Sequence, residues 1–144
     1  MASQIEPIVI SGANVDLAKR FFQSQVVAAS PSAATETTIA TLTISSNLTN
    51  STGIQLSGWA AFTVGTSGTA CNLKIRQTNT SGATIAASGA TTGGITAGNL
   101  VTLDVQGLDT AGVLPGQVYV LTLTVTNGAA ASTVSACQLT ANVY

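Results

Sequence analysis

Side-chain chemistry draws mainly on His, Cys, Asp, Glu, Lys and Arg, and this chain has few of them: no His, two Cys, five Asp or Glu and four Lys or Arg. Without an imidazole there is no Ser-His-Asp or Cys-His nucleophile and no His-containing metal site. Cys71 and Cys137 alone cannot complete a zinc site. From Thr37 onward the carboxylates are Asp104 and Asp109. A glycosidase pair would have to flank a bond with one member's pKa raised, and a calcium site needs more oxygen ligands than "LDTAG" offers. Asp109 in "DTAG" reads as a turn residue. No catalytic constellation, metal site or cofactor site emerges, and the chain reads as a non-enzyme for which a small-molecule ligand is not expected.

The remaining distinctive residues suit contacts better than reactions. Cys71 and Cys137 are in phase with the apolar faces of their segments, so they are either a disulfide closing a loop of about 66 residues, worth about 4 kcal/mol by chain entropy, or two buried thiols acting as small hydrophobes. Lys74 and Arg76 stand two apart on a polar strand face, with Asp104 similarly placed on another strand. They make cross-strand ion pairs, a contact patch for an acidic partner, or a solvated face. Trp59, beside Gly58 and out of phase with Leu56, Ala60 and Phe62, points outward as a sugar-stacking platform or interface anchor unless a bulge at Gly58 turns it into the core. Tyr144 is a second candidate anchor. The sequons at Asn47, Asn50 and Asn79 read as the Asn and Ser/Thr content of turns.

These residues sit in 144 positions, room for one domain with a real core. Charged residues are 6% of the chain against about 25% in ordinary globular proteins. A basic face able to release counterions is missing, so nucleic-acid binding is not expected. Abundant β-branched residues and a mean hydropathy of +0.45 argue against disorder. No segment approaches the roughly 20 apolar residues of a membrane span, and Glu6, Pro7 and Asp16 interrupt the one candidate stretch for a signal peptide.

Period-two alternation fills the chain from Thr37. Ala40, Leu42 and Ile44 share a face; so do Ile54, Leu56, Ala60, Phe62 and Val64; Cys71, Leu73 and Ile75; Val101, Leu103 and Val105; Tyr119, Leu121, Leu123 and Val125; and Cys137, Leu139, Ala141 and Val143. A weaker strand covers 83–87. Seven or eight short strands with Gly, Asn and Ser turns predict an all-β, antiparallel β-sandwich, and a jelly roll is the preferred form, with 88–99 and 107–117 as cross-sheet loops.

Residues 1–36 read as an N-terminal arm and linker, and 37–144 as the β-domain. Asn14 as N-cap, Asp16 in the first turn, and Val15, Ala18, Phe22 and Val26 at helical spacing predict a short helix over 15–27. Ile5, Ile8, Ile10, Phe21 and Phe22 are more apolar surface than a free tail exposes, so the arm should bury them, preferably on another subunit.

The run "VLPGQVYVLTLTVTNGAAASTVSACQLTANVY", preceded by "ACNLKIRQTNTSG", resembles the small β-sandwich virion proteins of tailed phages, including head decoration, minor capsid and fibre modules. The likeness spans 54–144 and lies in Thr, Ser, Ala and Gly content and a "PGQ-Y-LT" strand. It implies a capsid-associated structural protein, assembled in the host cytoplasm, with the major capsid protein and copies of itself, as a trimer, for partners. The alternative is a fibre or adhesin module that recognises a cell-surface glycan through Trp59.

Overall fold

A computed structural model describes residues 19–25, 31, 35–44, 53–67, 70–91, 95–111, 116–126 and 130–143. Eight strands follow in chain order: β1 Lys19–Gln25, β2 Glu36–Thr43, β3 Ile54–Thr63, β4 Ala70–Gln77, β5 Thr84–Ala87, β6 Leu100–Asp109, β7 Val118–Thr126 and β8 Thr133–Val143. They form two antiparallel four-stranded sheets, β1-β8-β3-β6 and β2-β7-β4-β5. There is no helix among the described residues.

The strands follow from the alternation. Every residue of the six in-phase sets named above is buried, apart from a half-buried Val101, and together they make one core fed by both sheets. Alternation breaks at register shifts. One lies between Thr38 and Ala40 of β2, so Ile39 is an extra residue and both Ile39 and Ala40 are buried. Another, opposite Ala61 and Phe62, skips Ser135 of β8 and turns Val134 inward although it is out of phase with Cys137.

Gly58 is a close approach rather than a bulge. Its pairings with Val105 and Leu139 are regular, and a Cβ there would lie 2.6 Å from Cδ1 of Leu121 in the facing sheet. The phase of β3 therefore runs through unbroken and Trp59 stays outside, 37% exposed.

The predicted helix over 15–27 is corrected by β1. Residues 19–25 are a strand paired with β8 from Lys19↔Val143 to Gln25↔Cys137. A helix this short needs a surface to dock on, whereas β8 offers a ladder that satisfies the backbone of the same residues. The rest of that segment, and Ile5, Ile8, Ile10 and Tyr144, lie outside the described residues. The expected loop 107–117 is also shorter, because β6 continues to Asp109.

Candidate functional site

Two polar clusters and one open face hold the chemistry-bearing residues. The first cluster lies on the outer face of the sheet β2-β7-β4-β5. Arg76 donates to both carboxylate oxygens of Glu36 through Nε and Nη2, the latter at 2.8 Å, and its Nη1 reaches the Gly82 carbonyl at 3.0 Å and Thr84 Oγ1 at 2.7 Å. Lys74 Nζ lies 3.4 Å from Glu36 Oε2, and Thr122 Oγ1 donates to Glu36 Oε1 at 2.6 Å. One carboxylate thus links β2 to β7 and β4, and Arg76 extends the link to β5. The Arg76 fork, the Thr122 hydroxyl and the nearby Lys74 charge outweigh partial burial and hold the Glu36 carboxyl down at about 2. Glu36 in turn raises the pKa of Arg76.

Lys74 and Arg76 therefore pair with Glu36, whereas Asp104 belongs to the other sheet and makes no ion pair among the described residues. Alternation placed the two cations on one polar face; it carried no sign that a residue from the chain's first third would meet them. With its donors already bonded, Arg76 is poorly suited to an acidic partner.

The second cluster is internal. Tyr119 Oη donates to Asp109 Oδ2 at 2.7 Å, and Asp109 Oδ1 accepts from the Ala111 N–H at 3.0 Å. Both residues are buried, and burial together with the adjacent carboxylate pushes the Tyr119 phenol well above its ordinary pKa. Asp109 is thus more than a turn residue: it joins the end of β6 to the start of β7 across the two sheets. A tyrosine in phase with the core needs a partner for its hydroxyl, but periodicity does not say which residue supplies it.

The cysteines lie in the core. Cys71 on β4 and Cys137 on β8 are buried in strands of opposite sheets, with no disulfide between them. Cys137 Sγ donates to the Ile39 carbonyl at 3.3 Å, and burial raises the pKa of the Cys71 thiol. Both behave as small core side chains.

The open face belongs to the sheet β1-β8-β3-β6. Trp59 stands there with its Nε1 donating to Gln138 Oε1 at 3.3 Å across the β3–β8 pair. Its partner on β6 is Asp104; the next outward rows are Ser57↔Gln106 and Gln55↔Leu108. A shallow depression of about 490 Å³ lies at the Gln55↔Leu108 row, lined by Gln55, Gln106, Gly107 and Leu108. Phe21 and Phe22 pair in register with Ala141 and Thr140 along the same sheet. Among the described residues no group of three His, Cys, Asp or Glu is placed to hold a metal ion, and no helix is long and apolar enough to cross a membrane. The chain matches no protein-family model and no curated protein.

Proposed function

We propose that the chain is a structural virion protein of a double-stranded DNA phage, a decoration or minor capsid protein that binds the major capsid protein and copies of itself, as a trimer, and performs no catalysis. The observation that carries this reading is how the charges are used. Glu36, Lys74, Arg76 and Asp109 are all engaged within the fold, and Asp104 is the exposed charge of the described residues after β1. A surface this neutral is a solubility risk for a free monomer, and it suits copies packed against other subunits, where desolvating ions is costly.

The strand pairing supports a jelly-roll form. β1 with β8, β2 with β7, β3 with β6 and β4 with β5 are the rungs of one long antiparallel ribbon folded over at the β4–β5 hairpin. Every other connection passes between the sheets. Such double-sheet folds recur in capsid proteins and lectins.

The test uses shells that lack this protein. The full chain should bind them as trimers and raise the temperature at which they release DNA. Removing residues 1–18, which leaves β1 in place, should abolish most of the occupancy. Undiminished occupancy by the shortened chain would sink the arm contact; failure of the full chain to bind would sink the virion role.

A further inference from the structure

We infer that the outer face of β3 and β6 is a binding site for a neutral oligosaccharide, seated on Trp59 and running toward Leu108. Three register rows define it: Trp59↔Asp104, Ser57↔Gln106 and Gln55↔Leu108. From the first row to the third the strand advances four residues, about 13 Å, the scale of a short chain of sugar rings. The rows alternate in character. Trp59 and Leu108, 37% and 52% exposed, sit at the two ends and offer apolar surface, while Ser57, Gln106, Gln55 and Asp104 supply hydroxyl, amide and carboxylate groups between and beside them. A pyranose has the complementary make-up, with C–H faces that stack on an indole and equatorial hydroxyls that bond amides and carboxylates.

Three further observations sharpen the ligand class. The bond from Trp59 Nε1 to Gln138 Oε1 holds the indole in place before a ligand arrives, which lowers the ordering cost of binding. A shallow depression lined by Gln55, Gln106, Gly107 and Leu108 lies at the far end of these rows from Trp59, giving the ligand a second seat beyond the single stacking point. Strands β3, β6 and β8 contain no Lys or Arg, the charge in the Trp59 row is Asp104, and Arg20 of β1 falls in register with Asn142, two strands away from Gln55. An acidic sugar ring stacked on Trp59 would meet the Asp104 carboxylate in the same row, so the ring seated there is uncharged. The proposal is independent of where in a particle the protein sits.

Trp59 is the chain's one tryptophan, so its emission reports on this face alone. The full chain is titrated with cello-, malto-, manno-, xylo- and chito-pentaose, and with sialyllactose and a heparin tetrasaccharide. At least one neutral pentasaccharide should shift the emission saturably, with Kd about 1 mM or tighter. By calorimetry Trp59→Ala should abolish that binding and Gln106→Ala weaken it at least about five-fold, with unchanged urea midpoints showing that both variants fold. Three results would each overturn the proposal: no saturable shift from any neutral pentasaccharide up to about 10 mM, equal or tighter binding of the charged sugars, or an emission shift that follows protein concentration without sugar.

Discussion

Gly58 and Leu121 occupy one place in the core between them: the missing side chain on β3 is filled by the isobutyl group from the facing sheet. Gly58→Ala forces Leu121 off its position and should destabilise the protein by about 1–3 kcal/mol, read as a lower urea midpoint at unchanged slope. The same substitution with Leu121→Val should recover part of the loss, since it removes the clashing methyl group. The cysteines give a second expectation. Because Cys71 and Cys137 are buried thiols with no disulfide between them, neither should react with a thiol reagent in the native state, both should react in denaturant, and reductant should leave Tm unchanged. A Tm that falls with reductant would mean that the two sulfurs bond.

In the sheet β2-β7-β4-β5 the Glu36 network joins all four strands at one point, and β2, at the sheet edge, depends on it most. A carboxyl held at about 2 when folded, against about 4.5 when unfolded, contributes stability that is fully present above pH 4.5 and is lost as pH falls toward 2. Glu36 is 18% exposed at its side chain, so its contribution is reduced by solvent to about 2–3 kcal/mol. Glu36→Gln should remove that amount at neutral pH. The difference between wild type and variant should then shrink as pH falls through this window. A constant difference from pH 6 to pH 2 would show that the ion pairs add nothing to the hydrogen bonds.

Across the described residues from β2 to β8, charge is almost entirely paired within the fold, so long-range surface electrostatics contribute little to folding. Stability from urea unfolding should change by less than about 0.5 kcal/mol between 0.05 and 0.5 M NaCl, because semi-buried pairs are screened far less than exposed ones. A loss above about 1 kcal/mol would mean that the Glu36 network is more open to solvent than its geometry indicates. The same neutrality connects the two proposals. A face with little charge can pack on a subunit or hold an uncharged sugar without desolvating ions, and the Trp59 face and the remainder of the surface can serve these ends separately.

Alternation along the chain was enough to place the strands and nearly all of the core, because a half-buried sheet imposes period two on each strand locally. It also put Trp59 outside and Lys74 and Arg76 on a polar face. It failed at Ile39 and Val134, where an extra residue shifts the register against a neighbouring strand. It failed for the helix over 15–27, because docking β1 on β8 is a contact between the two ends of the chain. The pairing of Glu36 with Arg76, the bond from Tyr119 to Asp109 and the fate of the cysteines were likewise invisible in any single segment. Local periodicity says which face a side chain takes; the partner it meets there depends on the order in which distant strands pair, and that order exists only once the sheets are assembled.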